Sequence, residues 1–327
     1  MSLHPWLRFD PAQTVQSISV KMREAIHSTL MRKGAVVAVS GGIDSSVCAA
    51  LAVESLGKDK VFALLLPEID SSSSSRILGE KLCNHLGISF EVKDIASTLE
   101  SIGCYKWRDD AIRSVFPDYS EGWKNKIVIS QNLLESDRFN FFKLIVESPD
   151  GQRMEKRLSI KAYLQIVAAT NFKQRIRKTL EYFHADRLNY AVLGTPNRLE
   201  YDQGFFVKNG DGSADFKPIA HLYKSQVYEL GKYLRLPEII CSAKPTTDTY
   251  SLEQGQDEFY FVLPYDRMDI ILYGLNHGKN PEEVAVETGL NADQVLRVFS
   301  DIQRKRSTTK PLHMKPILIE SIPELMT

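Results

Sequence analysis

The sequence predicts an α/β fold, a doubly wound and mostly parallel sheet with flanking helices. Three observations carry this expectation. Short strand-like runs at 35–40, 61–67 and 89–95 alternate with helix-patterned stretches, which is how a parallel sheet covered on both faces is written. The first run, AVVAVS, is apolar through its first five residues, as befits a strand buried on both faces. A Gly-Gly turn then leads directly into an Ala-rich helical stretch.

Taken in order, residues 12–32 place Val15, Ile18, Met22, Ile26 and Leu30 at helical spacing, and Gly34 ends that helix. The strand at 35–40 is followed by a helix at 47–56, VCAALAVESL, and by VFALLLP at 61–67 as a second buried strand. The five serines at 71–75 read as a flexible, ligand-facing loop. A helix over 75–86 and the strand SFEVKDI at 89–95 complete a third unit. Between about 105 and 157 the alternation breaks down, and a β-hairpin is expected around Pro149-Asp150-Gly151. With no linker-like stretch beside it, this segment reads as an insertion on a single domain spanning 1–327. One long helix at 158–184, a strand at 188–195 and a helix at 221–234 follow. The helical C-terminal part includes 264–277 and 281–305.

The 327 residues are 43% hydrophobic and 25% charged, the composition of an ordinary globular protein. Formal net charge is zero, so no global field draws nucleic acid or an anionic membrane, and an anionic ligand must be held by local groups. Cys48, Cys83, Cys104 and Cys241 are scattered, without the close pairs of a zinc or redox motif, and read as reduced thiols. The histidines show no ligand spacing. No basic and apolar leader opens the chain, and no apolar run nears the roughly 20 residues of a membrane span. A cytoplasmic protein is expected.

The chemistry is written most clearly in Ser40-Gly41-Gly42-Ile43-Asp44-Ser45-Ser46, between strand and helix. Two glycines let backbone N–H groups line a concavity and let phosphate approach closely. The helix N-terminus behind them adds unsatisfied N–H groups and partial positive charge. The serine hydroxyls can donate to phosphate oxygens, and Asp44 suits a Mg²⁺ ion bridging phosphates. A bare Gly-Gly pair fits any tight turn; seven such residues in a strand–turn–helix frame point to phosphate. The pattern is neither a Walker A loop nor a dinucleotide fingerprint.

Farther on, LGTPNRLE (193–200), GFFVKNGDGSADFKPIAHLYK (204–224) and KPTTD (244–248) concentrate polar groups after strand ends, where open α/β sheets bind ligands. Glu200 can complete a Mg²⁺ site with Asp44. Arg175, Lys208 and Lys224 supply cations for a nucleotide and a dinucleotide.

The seven-residue loop resembles that of the ATP pyrophosphatases, which adenylate a substrate and release pyrophosphate. With GT-x-N-x-x-E, F-x-K-x-GDG-x-AD and the following L-x-K, the chain resembles the ammonia-dependent NAD synthetases, over about 14–103 and 160–311. The resemblance implies a Rossmann-like ATP-pyrophosphatase fold and a homodimer. It assigns Ser40–Ser46 to the ATP phosphates, Asp44 and Glu200 to Mg²⁺, and Thr195, Lys224 and Thr246 to ATP. Arg175, Lys208 and Asp215 are assigned to deamido-NAD, which a C-terminal His-Lys-Arg also reaches; here that motif is Arg304-Lys305-Arg306. Catalysis would rest on Asp44, Glu200 and Lys224, with Asp211 taking a proton from ammonium. The insertion falls where relatives build part of their dimer interface.

The expected reaction is ATP-dependent amidation of deamido-NAD by ammonia through an acyl-adenylate. Without a Cys-His-Glu glutaminase arrangement, the ammonia arrives free or from a separate glutaminase. The alternatives are another carboxylate acceptor, or a non-catalytic nucleotide sensor using the helix-turn-helix-like stretch at 282–306. Neutral charge argues against nucleic acid.

Overall fold

A computed structural model describes residues 3–129, 141–243, 245, 250–255, 257–261 and 263–322. Its main sheet has four parallel strands in the order β3-β2-β1-β7. β1 (Ala35–Ala38) pairs with β2 (Val61–Leu65) through Ala35↔Val61 to Ala38↔Leu64. β2 pairs with β3 (Ser89–Val92), and β1 pairs on its other side with β7 (Ala191–Val192). The chain thus moves outward from β1 to β3 and returns to the opposite side of β1. That reversal creates a crevice at the carboxyl ends of β1 and β7, where ligands bind in such sheets.

Helices cover the sheet. α1 (Pro11–Glu24) starts at Asp10, whose carboxylate accepts from the Gln13 N–H at 3.1 Å, and it packs on α2 (Ile43–Leu56). Val47, Cys48, Leu51 and Ala52 of α2 are fully buried in one core cluster with Val37 and Ala63. α3 (Ser73–Leu86) is capped by the Ser72 hydroxyl and ends at Gly87 in the left-handed region, φ 65°. The serine run is therefore only partly a loop: its last three residues lie inside α3, because Ser72 supplies an N-cap. α4 (Ala96–Ile102) leads to the segment expected as an insertion, which opens with the helix α5 (Cys104–Arg113).

The expected hairpin is present but belongs to a three-stranded antiparallel sheet. β4 (Lys124–Ile129), β5 (Phe142–Glu147) and β6 (Arg153–Arg157) stand in that order, with the β5–β6 turn at Pro149–Gly151. Ile127, Leu144 and Val146 bury themselves against Ile112, Phe116, Ala162 and Ile166. This joins the small sheet to α5 and to the long α6 (Ile160–Leu188).

The strand expected over 188–195 shrinks to two residues. Beyond it, β7 bonds to a loop rather than to another strand: the Val192 N–H donates to Asp215 Oδ2 at 2.8 Å, and the Gly194 N–H to the Phe216 carbonyl at 2.9 Å. α7 (Arg198–Gln203), α8 (Lys224–Tyr233), α9 (Glu238–Cys241) and α10 (Tyr265–Asn276) follow. α11 (Pro281–Thr288) and α12 (Ala292–His313) close the chain, packed with α10 in a second core around Met268, Ile271, Val295 and Ile302.

Candidate active site

The turn after β1 is built for close approach. Gly41 has φ 79°, and a Cβ there would meet the Ser75 carbonyl oxygen at 2.6 Å and Leu78 Cβ at 2.8 Å, so no other residue fits. Gly42 is the N-cap of α2. Ser45 and Ser46 hydroxyls both donate to the Gly42 carbonyl, at 3.1 and 2.8 Å, and the Ser40 N–H donates to Ser45 Oγ at 3.3 Å. The hydroxyls expected to bind phosphate therefore shape the loop itself, as serines in a first helical turn commonly do. Ser46 is fully buried and does not line the adjoining cavity; Ser40, Gly41, Gly42, Ile43, Asp44 and Ser45 do.

Asp44, in the first turn of α2, joins elements distant in sequence. It accepts from Asn197 Nδ2 at 3.1 Å and from the Lys224 ammonium. Lys224, at the start of α8, is 2% exposed. Burial alone would depress its pKa, but the Asp44 and Glu200 carboxylates outweigh it and hold the ammonium above the ordinary lysine range. Glu200 sits in a capping box, its carboxylate accepting from the Asn197 N–H at 3.1 Å and its own N–H donating to Asn197 Oδ1 at 3.3 Å. Beneath them, burial and then Asp44 and Glu200 push the Cys48 thiol up. Asp269, reaching in from α10, accepts from the Lys224 N–H at 3.2 Å and from Ser225 N–H and Oγ at 2.7 and 2.6 Å. It thereby satisfies the open N–H groups of α8 and fixes Lys224.

These groups form one end of a cavity of about 760 Å³. Its long wall is α6, which presents Tyr163, Val167, Thr170, Gln174, Lys178 and Glu181 at steps of three and four residues, the spacing of one helix face. Arg177, on the same side, donates to the Leu66 carbonyl at 3.1 Å and to Ser71 Oγ at 3.3 Å, which fixes the loop after β2. Lys178 and Glu181 form a buried ion pair at 2.7 Å. Asp211 also lines the cavity and accepts from the Val207 N–H at 2.8 Å. Burial lifts both carboxyls above the usual range, against the pull of Lys178 on Glu181 and of the Val207 N–H on Asp211. The other end is aromatic: Phe142 of the insertion stacks on Tyr163 at 4.1 Å between ring centroids, beside Phe259.

The expected residues divide sharply. Asp44, Thr195, Glu200, Asp211 and Lys224 line the one cavity with the loop. Thr246 lies outside the described residues. Those expected to hold the dinucleotide are absent from the cavity wall. Arg175 is exposed and donates to the Lys208 carbonyl at 3.2 Å, since it stands off the α6 face that carries Gln174 and Lys178. Exposed Lys208 donates to the Pro311 carbonyl at 2.8 Å, capping α12. Asp215 completes the hydrogen bonding of β7 and accepts from Tyr182 Oη at 3.2 Å. Arg304 is exposed, while Lys305 turns inward to Asp301 at 2.7 Å and the Tyr260 carbonyl at 2.6 Å. Arg306 clasps Asp202 at 2.5 and 2.8 Å. Two of the three residues of the Arg304-Lys305-Arg306 motif are thus tied to the protein itself. Lys178, Glu181, Arg177 and Asp269 are the residues that sequence reasoning missed. The three on α6 share the helical spacing of its polar face, which is the signal that could have found them.

Among the described residues no three His, Cys, Asp or Glu side chains cluster as a metal cage. Asp44 and Glu200 nevertheless face the same cavity and the same ammonium. Two carboxylates that leave the remaining positions to phosphate and water fit Mg²⁺, and they do not fit a metal held by protein alone. Among the described residues no helix is long and apolar enough to cross a membrane.

Comparison with known proteins agrees with this geometry. A family model described as NAD synthase matches residues 14–114 and 132–311. The NH₃-dependent NAD⁺ synthetase of Rhizobium rhizogenes is 53% identical over 316 residues, covering 97% of this chain and 95% of its own. The fold matches the NH₃-dependent NAD synthetase from Campylobacter jejuni with a TM-score of 0.61 at 22% identity, covering 95% of this chain and all of the other. An NMN synthetase from Francisella tularensis matches with the same TM-score at 23% identity, over 96% of this chain and 100% of that one. The chain belongs to the NAD synthase family.

Proposed function

We propose that this carbon–nitrogen ligase joins ammonia to the carboxylate of deamido-NAD, consuming ATP and releasing NAD⁺, AMP and pyrophosphate. The observation that carries the reading is one cavity with Lys224 and Asp44 at the foot of a phosphate loop and Asp211 along its wall.

The nicotinate carboxylate attacks the α-phosphorus of ATP, and pyrophosphate leaves. The loop N–H groups and the Lys224 ammonium hold the charge that develops on the leaving group. Asp44 and Glu200 are the residues that would hold Mg²⁺, which supplies charge neutralisation on the polyphosphate. Thr195 lies beside the nucleotide, and Thr246 joins it by resemblance. Ammonia then attacks the acyl carbon, AMP departs, and Asp211 takes a proton from ammonium. Positioning and charge stabilisation carry the reaction, with no side-chain nucleophile. Arg175, Lys208, Asp215, Arg304 and Lys305 meet the part of the dinucleotide that lies beyond the cavity wall.

We further infer one cytoplasmic domain with an insertion, working as a homodimer on free ammonia or on ammonia from a separate glutaminase. Incubation with ATP, Mg²⁺, ammonium and deamido-NAD tests the reaction, with NAD⁺ and AMP followed by chromatography and Asp44→Ala as control. NAD⁺ formed in step with AMP, and lost in the variant, is the expected result. AMP formed only with a different carboxylate would replace the acceptor; ATP bound without turnover for any carboxylate would make the chain a sensor.

A further inference from the structure

The Lys178–Glu181 pair is not among the groups assigned to ATP and its leaving pyrophosphate, yet it occupies the cavity wall. Its side chains are 6% and 4% exposed, and apolar residues of similar size commonly pack as well as a buried ion pair or better. Two charges kept at such a place are explained by what they face. Asp211 lines the same cavity, and its charge acts on Glu181 as that of Lys178 acts on Asp211. Two further cations lie nearby, and the Arg177 charge also acts on both carboxylates. Arg177 holds the Leu66 carbonyl and Ser71. Lys217 lies 5.3 Å over the Tyr201 ring and interacts with Asp215.

Lys178 and Glu181 cancel, which leaves Asp211 as the charge of the trio, with the Arg177 guanidinium acting on both carboxylates. The stoichiometry of the ammonia step matches this wall. Ammonium carries four hydrogens and the amide nitrogen two, so two protons must be removed, and the wall offers two carboxylates.

Resting on the acyl-adenylate reading above, we propose that Glu181 is the second proton acceptor of the ammonia step and that Lys178 is the positioning residue that keeps it ionised beside Asp211. Ammonium gives one proton to Asp211, and its freed electron pair forms the C–N bond at the acyl carbon. The C–O bond to the adenylate phosphate breaks, with its electron pair leaving on AMP. The nitrogen gives its second surplus proton to Glu181, and both carboxylic acids then return their protons to water. Without Lys178, two buried carboxyls, one of which feels the charge of the other, would not both stay ionised. Without Glu181, the Lys178 charge would turn on Asp211 and repel ammonium.

The test separates the two half-reactions. Deamido-NAD-dependent exchange of pyrophosphate into ATP, measured without ammonium, reads adenylation alone. Amidation as a function of ammonium reads the second step. Glu181→Gln keeps the shape of the side chain. The double variant Lys178→Met/Glu181→Leu replaces the pair by apolar residues, a change that buried pairs tolerate in stability. Both variants should retain wild-type exchange while kcat/KM for ammonium falls about tenfold to a hundredfold, the span of one lost charged hydrogen bond. Wild-type kcat/KM for ammonium in either variant would overturn the proposal. So would exchange and amidation falling in parallel, which would make the pair a packing feature. Absence of exchange in the unaltered enzyme would instead refute the acceptor assignment.

Discussion

Replacing Gly41 by alanine tests whether the phosphate loop is shaped by close approach or only by backbone conformation. At φ 79° a Cβ meets the Ser75 carbonyl at 2.6 Å and Leu78 Cβ at 2.8 Å, both belonging to α3. The left-handed conformation alone costs an alanine about 1–2 kcal/mol. Relieving the contacts forces either α3 outward or the loop into the cavity, adding overpacking strain of about 1–3 kcal/mol. Gly151→Ala is the matched control, since it has φ 87° and nothing within 4 Å of its Cβ. Thermal unfolding should show Gly41→Ala as the less stable variant, by about 1–2 °C for each kcal/mol by which it exceeds the control. Titration calorimetry with ATP should show affinity lost in Gly41→Ala and kept in Gly151→Ala. Equal unfolding temperatures, or wild-type ATP affinity in Gly41→Ala, would refute the reasoning.

Lys224→Met leaves Asp44 without its buried cation; acceptor-dependent pyrophosphate release should fall about a hundredfold to a thousandfold, as on loss of a preorganised charge donor. Lys208→Met removes a cap from the end of α12 and should lower stability by about 1 kcal/mol in chemical denaturation. KM for deamido-NAD should rise as well; an unchanged KM would show that Lys208 caps α12 and does not meet the dinucleotide. Burial raises the Asp269 carboxyl to about 7, against the donors of Ser225 and the Lys224 N–H. The native protein therefore binds this proton more tightly than the unfolded chain. Its contribution is complete below the unfolded carboxyl range near 4 and is lost as pH rises through 7. Asp269→Asn should abolish that slope, about 3 kcal/mol between pH 5 and 8; identical slopes in denaturation at the two pH values would contradict the assignment.

What was legible in the sequence follows from local chemistry. β1, the Gly-Gly turn and α2 could be read because an apolar run, two glycines and an alanine-rich stretch each have few alternative conformations. The hairpin at Pro149-Asp150-Gly151 was legible for the same reason, whereas its third strand, β4, was not. Asp269 hid inside the apolar stretch MDIILYG, because its partner Ser225 lies 44 residues away. Lys178 and Glu181 stand three residues apart on a helix, which is equally the pattern of a solvated pair, and only the elements wrapped around α6 bury them. Charge alone does not distinguish Arg175 from Arg177. Two residues along a helix turn a side chain by about 200°, and only the position of the sheet decides which of the two looks inward. β7 was overread because Asp215, and not another strand, ends its ladder.

The unbroken run of α6 along the cavity makes that helix a ruler. From Tyr163 at the aromatic end to Glu181 at the acid–base end, its rise is about 27 Å. The separation between where a ring can stack and where protons can be received is thus set by helical pitch. A single residue added or deleted midway would shift that separation by only about 1.5 Å but would rotate one end by about 100° against the other. The length of α6 is consequently far less free to vary than the loops around it, and changes in substrate reach must come from the elements facing it.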